Sequence, residues 1–316
     1  MTTARRLAVF TVFATLVLVA IGVLVRATGS GLGCPDWPTC DGGVVPPAEK
    51  HPLIEMSHRL AATVVGLLVV AVAVLAWKHY RHAPVVVWTA LATVPLVGFQ
   101  GLLGAVTVKR ALPPEIVATH LLTAMAVLSF QVVVAAGMYL DDPAHRKRLL
   151  GVLPAAAPPR RLGLLVLATA AWLALVMWVG GYMTESGAST ACTSWPACNG
   201  SLLPGSDDQQ ITHMAHRYLA GALSFLMVPL VLFAWRHRRA LPWATSVALA
   251  LAALYVLQVA VGALNVLYEF PEPLAISHTV IASLIWTLLS TAAALAFWAP
   301  ASVRSAAPVA SSRVPA

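Results

Sequence analysis

Charge is scarce in this chain. Asp, Glu, Lys and Arg supply only 10% of its 316 residues, against about 25% in an ordinary soluble domain. With 59% hydrophobic residues and a mean hydropathy of +0.81, that scarcity excludes a soluble globular fold. Acidic residues are scarcer still, 12 in all, so the carboxylates for a di-iron site are missing. Cysteines number four, in two C-x5-C pairs. That spacing is wrong for a zinc site, and the usual partner histidines lie elsewhere.

What the chain has instead is long apolar runs. A spanning helix needs roughly 20 mainly apolar residues. Eight stretches qualify, at about 7–25, 58–77, 84–107, 116–140, 162–181, 213–235, 242–267 and 274–298. They fall into two sets of four, because the chain repeats itself at a constant offset of 158 residues. Cys34 and Cys40 map onto Cys192 and Cys198, His58-Arg59 onto His216-Arg217, and His120 onto His278. Gln100, Gly104 and Trp37-Pro38 keep the same register with Gln258, Gly262 and Trp195-Pro196. Internal symmetry at a fixed period marks an architecture built from copies of one unit. Four helices per copy is an even number, so both copies enter the membrane from the same side, as parallel repeats. The expected fold is an all-α integral membrane protein: eight transmembrane helices in two four-helix bundles. Residues 1–140 form the first half, 141–161 a linker, 162–298 the second half, and 299–316 a disordered tail rich in Ala, Ser and Pro. The first apolar run is longer than a signal-peptide core and is needed as the counterpart of the fifth, so it is read as a helix of the fold.

The net charge of +8 would suit a nucleic-acid partner, but its distribution excludes one. Fourteen of the 20 basic residues precede, follow or connect the helices on one face, among them Arg5, Arg81, Arg146 and Arg236. The positive-inside rule makes that face cytoplasmic. Ten of the 12 acids lie on the opposite face. The expected location is the cell membrane, with both termini cytoplasmic and the cysteine loops outside.

Those loops, about 26–57 and 182–212, carry CPDWPTC and CTSWPAC, each followed by Asx-Gly. An even cysteine count on an oxidising side reads as disulfides, and the most economical pairing is Cys34 with Cys40 and Cys192 with Cys198. A passive staple for each loop and a reducible, redox-active pair both remain open.

Five of the ten histidines, His58, His120, His213, His216 and His278, cluster toward the outer ends of the even-numbered helices. Ionisable residues inside spanning segments are costly and mark function by default, and repetition at one offset strengthens the case. Each half offers two imidazoles from opposite helices at similar depth. Facing side chains in a four-helix bundle build cofactor sites in its core, and two imidazoles suit the two axial positions of a heme iron. Arg59 and Arg217, beside the imidazoles, suit heme propionates or an interfacial role equally well.

The halves differ at one position. The first reads Glu55-Met56-Ser57-His58 and the second His213-Met214-Ala215-His216. Glu55 stands one turn outward of His58 on the same face; the second half has no carboxylate there. A symmetric electron carrier has no need of that difference, so Glu55 is the candidate catalytic residue; an interfacial residue or a helix-start charge that favours the macrodipole is the open alternative. His213 has no assigned role at this stage.

At these residues the sequence resembles the heme A synthase family, on the motifs EMSHR, ATHLL, AHRYLAG and ISHTV, with GLGCPDWPTC in the first loop. The resemblance covers residues 7 to about 298. It implies oxidation of the C8 methyl group of heme O, through an alcohol, to the formyl group of heme A, with water as the oxygen source. It further implies that His58 and His120 hold the substrate heme, with Glu55 as the acid/base or charge-stabilising carboxylate. His216 and His278 are then the ligands of a resident heme b, and Cys34 and Cys40 act in heme transfer or electron removal. The implied partners are heme O, heme O synthase, terminal-oxidase assembly factors and membrane lipid, with no nucleic acid and with room for a homo-oligomer. The main rival is a diheme b-type electron-transfer protein, which shares the histidines and has no use for Glu55. A parallel-repeat transporter ranks third, because its polar groups belong near the bilayer midplane and here they collect at one end.

Overall fold

The computed structural model describes residues 2–150 and 160–304. Residues 151–159 of the expected linker and 305–316 of the expected tail lie outside the described residues. The fold is all-helical, with eight helical segments long and apolar enough to cross a membrane among the described residues. In chain order these are α1 (Thr2–Ala27), α2 (Lys50–His79), α3 (Pro84–Lys109) and α4 (Pro114–Leu140), then a short α5 (Pro143–Leu150). The second half comprises α6 (Arg160–Glu185), α7 (Asp208–Ala222), α8 (Ser224–Arg236), α9 (Pro242–Leu267) and α10 (Glu272–Arg304). The α7 and α8 helices together make one span, Asp208–Arg236, interrupted at Leu223. Pro229 lies inside α8, where its ring cannot fit the carbonyl four residues earlier and breaks the regular ladder.

Helix starts follow from local chemistry. Pro occupies the first turn of α3, α4 and α9, where its missing N–H costs nothing. Asp207 caps α7 by accepting the N–H of Gln209. The helices run well beyond the apolar stretches. The α2 helix begins at Lys50 rather than at His58, so His58 lies more than two turns inside it. Polar residues extend a helix as readily as apolar ones; only the bilayer limits the apolar part.

Within each half, consecutive helices pack as neighbours and the first also touches the fourth, closing a four-helix bundle. The halves meet through α1, α4, α6 and α10. At that seam the Trp286 Nε1–H donates to the Met125 carbonyl at 2.8 Å, and Ser129 and Ser290 hydroxyls bond at 2.9 Å. Gly181 brings α6 so close to α4 that an added Cβ would stand 3.3 Å from the Ala118 Cα, the close approach that small residues give membrane helices. At the other end of the molecule from the cysteine loops, the Arg5 guanidinium donates to the Met138 carbonyl and pairs with Asp142 at 3.0 Å.

The repeat is present in the backbone as well as the sequence. Asp41-Gly42 and Asn199-Gly200 both have φ positive at both positions, 50° and 76° against 51° and 89°. This is the turn that Asx-Gly favours between two short antiparallel segments, here bridging Cys40 to Gly43 and Cys198 to Ser201.

Candidate heme sites at the loop end

The two cysteine loops fold onto the ends of the helices that carry the histidines. Cys34 is bonded to Cys40 and Cys192 to Cys198. All four are buried, packed on Met56 in one half and Met214 in the other, and these methionines are themselves in register. Each loop is then hooked by the arginine next to the histidine. Arg59 donates to the carbonyls of Asp36 at 2.6 Å, Thr39 at 2.7 Å and Cys34 at 3.0 Å. Arg217 donates to those of Ser194 at 2.8 Å, Ala197 at 3.0 Å and Pro196 at 3.1 Å. Sequence reasoning left these arginines open between propionates and the interface. The structure spends their guanidinium forks on loop carbonyls, a use that sequence spacing does not reveal.

The position that breaks the symmetry serves the same network in both halves. Glu55, 3% exposed, accepts the Cys34 N–H on Oε2 at 2.7 Å and is paired through Oε1 with Arg59. His213, 2% exposed, bonds the Ala188 carbonyl through Nδ1 at 3.0 Å and the Arg217 guanidinium through Nε2 at 2.9 Å. An arginine can only donate, so Nε2 accepts and the proton sits on Nδ1: His213 is a neutral imidazole. His213 is thereby explained as a loop anchor. The first half puts a carboxylate in the anchor position and the second a neutral ring.

The four repeated histidines are half-buried, and each leans on a glycine of the preceding helix. His58 on α2 faces Gly22 of α1, His120 on α4 faces Gly104 of α3, His216 on α7 faces Gly180 of α6, and His278 on α10 faces Gly262 of α9. In every case Cε1 is the ring atom nearest the glycine, with Nδ1 next, so Nε2 is the nitrogen farther from the neighbouring helix. The Nδ1 atoms of His58 and His120 are buried without a partner. That of His216 bonds the Val176 carbonyl at 3.2 Å. Behind His120, the Gln100 amide donates to its backbone carbonyl at 2.8 Å.

In the second half the His216 and His278 ring centroids are 6.4 Å apart. Two metal–imidazole bonds of about 2 Å each, plus half a ring on either side, span about that distance. Among the described residues there is no cluster of three or more His, Cys, Asp or Glu to hold a bare metal ion. A pair of imidazoles with open Nε2 atoms fits a group that brings its own equatorial ligands, which is heme. Sequence reasoning missed one further feature at this end: Arg26 of α1 reaches Glu185 of α6 across the seam at 3.8 Å. The two positions are not in repeat register, so the repeat offered no signal for it.

The profile of the cytochrome oxidase assembly protein family (COX15-CtaA) matches residues 5–290. The chain belongs to this family. It is 34% identical to the heme A synthase of Shouchella clausii, over 90% of this chain and 94% of that protein. The heme A synthase of Alkalihalophilus pseudofirmus is 30% identical over 90% of this chain and 96% of its own length. That of Symbiobacterium thermophilum is 31% identical over 87% and 89%. The match with the family runs through both bundles, so both histidine pairs and both anchor positions fall inside it.

Proposed function

We infer that this chain is the enzyme that oxidises the C8 methyl of heme O to a formyl group, yielding heme A for terminal oxidases. The observation that carries the reading is the asymmetry of two otherwise matching sites. Both halves offer paired imidazoles under an arginine-hooked cysteine loop, and only the first sets a carboxylate beside them. On this reading His58 and His120 hold the substrate heme, and His216 and His278 hold a resident heme b, which supplies electron transfer when bound.

The ligand contacts of this chain suit that division. The His216 ring is fixed by its bond to the Val176 carbonyl, and such a partner orients a metal-bound imidazole and raises its basicity. His58, His120 and His278 have no such bond, so His216 is the one ligand of the four whose ring is held this way. Glu55 is held between Arg59 and the Cys34 N–H, and its contribution is to stabilise positive charge developing on the substrate. The basic end faces the cytoplasm, with the cysteine loops and heme sites toward the outer face of the cell membrane. Heme O synthase and terminal-oxidase assembly factors are the partners this chemistry calls for.

Heme extraction and mass analysis after co-expression with heme O synthase tests the reading. Heme A or its hydroxylated precursor alongside heme b is expected. Two stoichiometric heme b groups, with no modified heme although heme O is supplied, would replace it with the diheme electron-transfer protein.

A further inference from the structure

The glycines behind the histidines recur at the 158-residue offset: Gly22 with Gly180 and Gly104 with Gly262. A Cβ built on them would stand from the Cε1 of the facing imidazole at 2.9 Å for Gly22, 3.3 Å for Gly104, 2.7 Å for Gly180 and 3.0 Å for Gly262. Real Cβ atoms do not come within 3.0 Å of a neighbour, so the two tightest positions admit no side chain while the ring stays where it is.

We propose that Gly22, Gly104, Gly180 and Gly262 are positioning residues that set where the axial imidazoles stand. This rests on the heme reading above. Glycine is a weaker helix former than alanine, and something must offset that at four equivalent places. Ordinary packing of small residues between membrane helices brings backbone against backbone, as at Gly181 against the Ala118 Cα. At these four the atoms nearest the built Cβ all belong to imidazoles; around Gly104 and Gly262 no other atom lies within 4 Å. Elsewhere glycine faces open space, as at Gly101 of the same α3 and at Gly221 of α7, so glycine by itself does not imply this contact.

A methyl group at Gly180 has one consequence above the others. The His216 ring is held by the Val176 carbonyl and cannot turn aside without losing that bond. Moving off α6 stretches the same bond, because Val176 and Gly180 share that helix, so either response changes the ring's place relative to His278 across the 6.4 Å gap. His58 has no equivalent bond, so its ring can rotate in response to a methyl at Gly22. The order of severity in ligation is therefore Gly180, then Gly22 and Gly262, then Gly104.

The experiment compares purified full-length Gly180→Ala with Gly221→Ala. It reads heme b per protein, the low-spin ferric EPR signal and the midpoint potential. Gly180→Ala is expected to lose heme b affinity by about tenfold, the effect typical of disturbing a group that orients a metal ligand, with a shifted EPR signal and potential in what remains. Gly221→Ala should match the unsubstituted protein. Gly180→Ala with unchanged heme content, EPR signal and potential overturns the proposal. Where Gly180→Ala does not accumulate, Gly262→Ala is read in the same way with the same overturning outcome. Thermal stability in the His216→Gly background supplies a further check: with the ring gone, Gly180→Ala should carry no penalty, and a persisting one overturns the proposal. An unsubstituted protein without heme b sinks the heme reading itself and this inference with it; a His216→Gly variant with heme b intact exchanges the roles of the halves and overturns the choice of Gly180. Normal heme behaviour in both, with a silent Gly180→Ala, sinks only the inference.

Discussion

The Cys34 backbone N–H donates to the Glu55 carboxylate at 2.7 Å, joining the first disulfide loop to the residue that distinguishes the two halves. The second loop has no counterpart: the residue in register with Glu55 is His213, which bonds the Ala188 carbonyl instead. The loop and the carboxylate are thus one unit in the first half, and changes to either should be felt at the substrate heme.

Glu55→Gln keeps an oxygen for the Cys34 N–H and removes the charge; Glu55→Ala removes both. With charge stabilisation as the role, both should lower heme A yield by about 100-fold while heme b stays at its normal level. Mass analysis of extracted hemes makes the comparison. A normal yield in Glu55→Gln would reduce Glu55 to a loop anchor.

His216→Met and His278→Met should disturb the permanent heme b spectrum, and His58→Met and His120→Met should leave it intact while heme O accumulates. Optical spectra of the purified variants decide. An unaltered heme b spectrum in the second-half variants would exchange the roles of the halves.

The paired substitutions Cys34→Ser with Cys40→Ser and Cys192→Ser with Cys198→Ser open loops of equal length. Loop-closure entropy for so short a loop makes each bond worth about 2 kcal/mol, so both variants should lose similar thermal stability. Only the first should also lose heme A yield per folded protein, because only its loop positions Glu55. Equal yields in the two variants would make both disulfides passive staples.

Asp142 lies beyond the spanning part of α4. The Arg5 guanidinium, helped by the Ala144 N–H, holds its carboxyl down to about 2, below the ordinary 3.8. A depressed carboxylate stabilises the fold above its ordinary value, and that contribution is lost as pH falls through the folded one. Asp142→Asn should therefore be less stable than the parent above about pH 4, and the margin should close between about pH 4 and pH 2. Thermal unfolding in detergent across that range tests it; a margin that stays open down to pH 2 would rule it out.

Much of the molecule was legible before any coordinate. Burying an apolar run in lipid needs only its length and composition, so the eight spans follow from hydropathy. The 158-residue register brought His58, His120, His216 and His278 to equivalent depths, because a helix advances by a fixed rise per residue. It also carried the disulfide pairs, since cysteines six residues apart on one irregular loop can reach each other.

Tertiary structure decided what depends on the rotation and approach of one helix against the next. Nothing in the order of residues says that the forks of Arg59 and Arg217 close onto loop carbonyls, or that Glu55 and His213 anchor those same loops. Nor does it say that Gly180 stands behind His216, for which Val176 and Gly180 of one helix must meet a ring from another. Hydropathy and repeat spacing are properties of single helices and of the chain's register. A contact between side chains of different helices is set by the packing of both, and that packing is settled only when the bundle closes.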